Sequence, residues 1–222
     1  MVFGSNQACL SVAGSTLGAA FPFRPRLPVY LAALAAVVFA ASPLQAQFMV
    51  RQVNLSYLAQ RADVIVQGKV TEVRHESLPG YPNIPTVEVT IQVENMVRGP
   101  AGSTYTFRET LMGLRPKTGK QGYMVGQRLF LFLPSPSRYG LSSPVAREQG
   151  RFHVLRAPSG NEKVANELGN AGLFKNVEQA ATKTGMQLTT SQLRIAGTQR
   201  GPVPLDGFVS LVKRLTSLPR IQ

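Results

Sequence analysis

The chain of 222 residues has no tryptophan, one cysteine, two histidines and only 11 acidic side chains. Each shortage removes a class of chemistry. The cysteine is Cys9, so everything downstream of it lacks a thiol for a disulfide, a thiolate metal site or a cysteine nucleophile. The histidines, His75 and His153, lie on separate predicted strands with no companion at ligand spacing, whereas a zinc site takes three or four ligands. No metal and no cofactor is therefore expected. The motifs G-x-S-x-G and G-x-G-x-x-G are absent. The shortage of acids leaves 24 basic residues largely uncompensated, a net charge of +13. Such a balance favours anionic partners: nucleic acid, lipid headgroups or acidic polysaccharide. Hydrophobic residues make up 44% and charged ones 16%, which is the composition of a folding chain.

The N-terminal quarter predicts export. Arg24 and Arg26 precede the apolar run Leu27–Ala41, and Ser42-Pro43-Leu44-Gln45-Ala46 comes next. A basic stretch, an apolar stretch and a short polar stretch ending in a small residue form a signal peptide. The run is about 15 residues and Ala-rich, short of the ~20 that span a bilayer. Cleavage is expected after Ala46, with residues 1–22 as an extension ahead of the signal. Arg24 and Arg26 are the only charges in 1–46, so the mature chain would hold 22 basic and 11 acidic residues, a net of +11. A periplasmic or extracellular, cysteine-free protein with no remaining transmembrane span is the expectation.

Asn54 followed by Leu55 and Leu58 predicts a short helix. The mature chain is organised around the stretch 62–99. Val64, Val66 and Val70 predict one face of a strand over 63–73, and Gly68 inside it marks a bulge or bend. Residues 76–85 are dense in Pro and Gly and predict a loop. Val87, Val89, Ile91 and Val93 alternate with polar residues, a half-buried strand over 86–97. Thr104–Arg108 predicts a third strand. Gln127–Leu133 is a continuous apolar run whose length suits a strand buried on both faces. Shorter strands are expected near Leu141, at 150–155 and at 161–168. Residues 171–203 predict a poorly ordered or weakly helical linker. Leu205, Phe208, Val209, Val212 and Leu215 lie at helical spacing, so 204–218 predicts an amphipathic helix docked on the core.

The pieces Ala62–Val70, Val97-Arg98-Gly99, Gly126–Leu133 and Gln149–Val154 resemble, across about residues 54–156, the OB-like barrel of the netrin-like superfamily, which includes tissue inhibitors of metalloproteinases. The resemblance implies a mainly β protein: a five- to six-stranded antiparallel barrel over 47–170, with a short N-terminal helix and a C-terminal amphipathic helix. It carries no inhibitory chemistry. Those inhibitors chelate zinc through an N-terminal cysteine pinned by disulfides, whereas Gln47 would begin this mature chain and no cysteine lies beyond it.

The residues with partner potential are Arg108, Arg115, Lys117, Lys120 and Tyr123, a basic loop with an aromatic at its edge. OB-type barrels bind oligonucleotides and oligosaccharides on a strand face edged by loops. Export argues against nucleic acid and leaves an envelope protein or anionic polysaccharide. Other constellations fail on order or spacing. Ser210-Leu211-Val212-Lys213, Lys117-Thr118-Gly119 and Lys183-Thr184-Gly185 match fragments of a penicillin-binding site in the wrong order. Glu72, Glu94 and His75 would have to meet in one pocket to support a hydrolase. The expected function is a non-enzymatic exported binding module. A peptidase-inhibitor-like module is the alternative, and an envelope hydrolase ranks behind both.

Overall fold

The computed structural model describes residues 51–111, 122–157 and 160–217. The expected signal peptide and its cleavage site lie outside them. Helix α1, Leu55–Arg61, starts where Asn54 accepts a hydrogen bond on Oδ1 from the Tyr57 amide at 2.9 Å. This satisfies one of the amides that a helix start leaves without partners. Leu55, Leu58 and Ala59 are buried beneath it.

Strands β1 (Val64–Leu78) and β2 (Tyr81–Arg98) form one long hairpin. The loop expected over 76–85 is strand instead. Glu76 pairs with Thr86, Ser77 with Pro85 and Leu78 with Tyr81. Side chains add cross-strand bonds beside the prolines: Ser77 Oγ donates to the Pro82 carbonyl and Thr86 Oγ1 to the Glu76 carbonyl. The tight turn falls at Gly80, whose φ of +81° suits glycine.

Then come β3 (Thr104–Thr110), β4 (Arg128–Leu133), β5 (Arg151–Arg156), β6 (Glu162–Asn166) and the two-residue β7 (Val203–Pro204). The sheet runs β3-β2-β1-β4-β5-β6-β7, and every neighbouring pair is antiparallel. The protein is mainly β, but the expected closed barrel of five to six strands is corrected to an open sheet of seven. Closure would need the outer strands to pair. Among the described residues, the free edge of β3 meets a single parallel bridge, Arg108 to Leu141. At the other end β7 stops at Pro204, which has no N–H to donate and leads into a helix.

Both faces of the central strands are covered. Leu129, Leu131 and Leu133 of β4 join Val66, Val70, Val89, Ile91 and Phe107 in one cluster. Phe130 and Phe132 point the other way, into a cluster with α1 and the C-terminal helix. The continuous apolar run of β4 reflects this two-sided burial.

The helices on that second face are α2 (Val177–Lys183), α3 (Thr190–Ala196) and α4 (Leu205–Leu215). Of the two alternatives expected for 171–203, the stretch takes the helical one, as two short helices. A capping box explains α3: Thr189 Oγ1 accepts from the Gln192 amide and Gln192 Oε1 accepts from the Thr189 amide. Gln192 Nε2 also donates to Ser210 Oγ on α4 at 3.0 Å. Helix α4 docks on the core with Leu205, Phe208, Val212 and Leu215 of the expected stripe buried; Leu211 joins them and Val209 is half-buried. The Phe208 ring centroid lies 5.3 Å from that of Phe130 and 5.1 Å from that of Phe152. Edge-to-face and tilted contacts of this kind add to the burial of the rings.

Candidate functional site

Of the five residues singled out in the basic loop, the structure describes two, Arg108 and Tyr123. Arg115, Lys117 and Lys120 lie outside the described residues. Arg108 points across the sheet to carboxylates. Its Nη2 lies 2.6 Å from Glu88 Oε2, the residue opposite it on β2, and 3.4 Å from Glu76 Oε2. Tyr123 is buried and turned inward, its ring near-perpendicular to that of Phe107 at 5.4 Å. Its Oη donates to Glu109 Oε2 at 2.7 Å. Arg108 and Tyr123 thus share a neighbourhood without sharing a surface.

Beneath Tyr123 lies a residue that sequence reasoning passed over. Arg151 is 3% exposed, and its guanidinium sits 5.0 Å from the Tyr123 ring centre. On β5 it stands opposite Leu131, so it faces the same side of the sheet as the aliphatic cluster. An Nη2 bond to Glu148 and a 3.8 Å approach to Glu167 hold it there. His153 Nε2 lies 2.7 Å from Glu167 Oε1. Arg151 Nε is buried and has no hydrogen-bond partner among the described residues.

This environment shifts the titrations. Burial pushes the Glu109 carboxyl above its ordinary value, against the Tyr123 hydrogen bond and the Arg151 charge. Burial, with the Glu109 charge beside it, pushes the Tyr123 hydroxyl well above the usual phenol range. Burial opposes the Arg151 charge, but Tyr123, Glu148 and Glu109 outweigh it and hold the guanidinium charged. Desolvation and charge partners are the ordinary causes of such shifts.

A second ionic centre lies where the sheet meets α4. Arg128 grips Glu94 from Nε and Nη2 at 2.8 and 2.6 Å and also pairs with Glu162. The bond from Arg128 holds the Glu94 carboxyl below its ordinary value. Along the hairpin, Arg74 pairs with Glu72 at 2.6 Å and approaches Glu88 at 3.8 Å. Arg74, Arg108, Arg128 and Arg151 therefore take up most of the sheet's glutamates.

The acids and histidine that a hydrolase would need do not meet. Glu72 stands opposite Thr90 and His75 opposite Val87, while Glu94 lies near Gln67, 2.9 Å from its Nε2. Among the described residues, no group of three or more His, Cys, Asp or Glu is placed to hold a metal ion. Among them too, no helix is long and apolar enough to cross a membrane.

Exposed positive charge lies on the sheet part, at Arg51, Arg61, Lys69, Arg138, Arg147, Arg156 and Lys163, and also on the helical layer. Residues 171–217 carry six cationic side chains, Lys175, Lys183, Arg194, Arg200, Lys213 and Arg214, against two acids, Glu178 and Asp206. Every one of the six is exposed.

The fold and these centres define a class, an open antiparallel sheet with helices layered on one face and arginine–glutamate pairs along its strands. No family model matches the chain, and no match was found among the curated proteins.

Proposed function

We propose that the chain is an exported, non-enzymatic binding module whose partner is anionic, either an acidic polysaccharide of the envelope or an acidic surface of an envelope protein. The netrin-like resemblance belongs to this reading as its scaffold: a sheet that holds loops and helices apart. One observation carries the proposal. Most of the sheet's glutamates are engaged by arginines of the same sheet, whereas residues 171–217 present six exposed cations against two acids. A surface of one sign concentrates partners of the other and speeds their encounter. Arg115, Lys117 and Lys120 add three more cations in the sequence that follows β3.

Retention on immobilised heparin tests the proposal. Binding at low salt with release as salt rises is the expected result, because screening weakens exposed charge attraction. Passage without retention at low salt would sink it. Replacing Lys117 and Lys120 by Ala should lower the salt needed for release, and unchanged retention would remove those lysines from the binding surface. Export is tested by mass spectrometry of the secreted chain, which should begin at Gln47. Finding residues 27–46 in the mature protein would overturn it.

A further inference from the structure

Between α2 and α3 the helical layer holds an open groove of about 350 Å³, lined among others by Lys175, Asn176, Glu178, Gln179, Thr198 and Gln199. Its size falls at the lower end of ligand pockets, roughly 300–1,000 Å³. The amide side chains of Asn176, Gln179 and Gln199, and the Lys175 ammonium, engage no other group among the described residues. Their backbone is nonetheless fixed. The Lys175 carbonyl accepts a bond from Asn54 Nδ2 at 3.1 Å, which ties the groove to the cap of α1. The Gln199 carbonyl accepts from the Gly172 amide at 3.4 Å, and Thr198 Oγ1 donates to the Arg194 carbonyl at 3.3 Å. Polar groups on a held backbone lose less freedom on binding than groups on a free loop.

The donor and acceptor inventory selects the ligand. Each amide offers two N–H donors and a carbonyl acceptor, Glu178 only accepts, and Lys175 only donates. A fully deprotonated inorganic anion such as sulfate only accepts and would leave the amide oxygens and Glu178 to water. A neutral sugar would satisfy the amides and Glu178 through its hydroxyls and add no charge partner for Lys175. A sugar that carries both hydroxyls and an anionic group matches the whole set. Arg194 in the last turn of α3 and Arg200 next to Gln199 in the sequence carry further positive charge on the helical layer.

We infer that this groove binds an acidic sugar unit, a uronic acid or a sulfated hexose, within an anionic polysaccharide. The inference rests on the anionic-partner reading and gives it a recognition site distinct from the basic sequence that follows β3.

Calorimetric titration of the full chain tests it, with a uronic acid tetramer, a sulfated heparin tetrasaccharide and a neutral glucose tetramer as probes. Inorganic phosphate and anionic phospholipid vesicles complete the set. One or both acidic tetramers should bind and the other three probes should not. The Gln179→Ala/Gln199→Ala double variant should weaken that binding about tenfold, with an unchanged dependence on salt, since only neutral hydrogen bonds are removed. Lys175→Ala should weaken it and flatten the salt dependence. All three positions are exposed, so an unchanged melting temperature verifies the fold of each variant. If the wild type binds the acidic tetramers and the double variant binds equally well, the groove falls while the anionic-partner reading stands. Heparin retention without binding of either acidic tetramer would sink the groove and leave the broader reading. If heparin and both acidic tetramers fail, both fall. Binding of phosphate or vesicles in place of the tetramers, or equal binding of the neutral tetramer, would overturn the acidic-sugar assignment.

Discussion

Arg98 Nη2 donates to the carbonyl oxygen of Thr216 at 2.7 Å, joining the last residue of β2 to the end of α4. The same guanidinium donates from Nη1 to the carbonyls of Ala59 and Ala62 at 2.7 and 2.8 Å, at the end of α1. Helix ends leave carbonyls without intrahelical partners, and one planar, charged fork here serves two helices at once. Arg98→Ala should destabilise the protein by about 3 kcal/mol, since bonds to a charged donor are lost and part-buried carbonyls are left unmet. Arg98→Lys should recover less than half of this, because a single ammonium cannot reproduce the fork. Urea unfolding measures both, and an Arg98→Lys variant as stable as the parent would refute the shared-cap account.

Gly68 sets how closely the first two strands approach. A Cβ at this position would lie 2.2 Å from the Gln92 carbonyl oxygen, a backbone atom that cannot turn aside. The β1–β2 register shifts just there, between Gln67 and Gly68. Gly68→Ala should cost about 2 kcal/mol, within the range for overpacking a filled interior. Gly80→Ala is the matched comparison: nothing lies within 4 Å of its Cβ, but φ is +81°. Backbone strain alone should cost about 1 kcal/mol there. Thermal melting of the two variants should rank Gly68→Ala as the less stable.

Asn170 is fully buried with φ at +58°, and its side chain organises the turn after β6. Nδ2 donates to the carbonyls of Val164 and Gly201, both at 3.0 Å, while Oδ1 accepts from the Asn166 amide at 3.0 Å. Asn170→Gly keeps the backbone conformation and loses these bonds, a cost of about 2–3 kcal/mol. Asn170→Ala adds left-handed strain and should be about 1 kcal/mol worse. Melting temperatures in the reverse order would show that the backbone conformation is incidental.

Elements with a long, clean period were legible in the sequence. The alternation of Val87, Val89, Ile91 and Val93, the unbroken run of β4 and the stripe of α4 each name a buried face, and burial decides them. The open sheet was not legible, because closure depends on what meets the two edges, and there Pro204 and α4 intervene. The prolines of 79–85 hid the far half of the hairpin, where side-chain bonds from Ser77 and Thr86 add to the pairing. Helix α3 is too short for periodicity to reveal, although its Thr189–Gln192 capping box was in view. Arg151 was missed because on an alternating strand a buried arginine looks like an exposed one. The groove between α2 and α3 draws its amides from segments some 20 residues apart, whose meeting depends on how the two helices pack.

Glu109 and Tyr123 make the acid range informative. The folded-state pKa of Glu109 is raised above the unfolded value, chiefly by burial, so the folded chain holds this proton more tightly. The resulting stability is fully present below the unfolded carboxyl pKa, about 4.3, and is lost as pH rises through the raised folded value. Glu109→Gln stays neutral throughout and can still accept the Tyr123 hydrogen bond on Oε1. Its melting temperature should therefore track the parent in acid and exceed it increasingly as pH rises toward neutrality. Glu94 has the opposite sign: Arg128 lowers its pKa, and its contribution is lost as pH falls through that lowered value. That loss is common to both proteins and cancels in the difference. Tyr123→Phe removes the donor and should cost about 1–2 kcal/mol near neutral pH, where the buried carboxylate most needs it. A difference between Glu109→Gln and the parent that shrinks or reverses as pH rises would mean that attraction to Arg151 outweighs burial, and that Glu109 forms a buried ion pair.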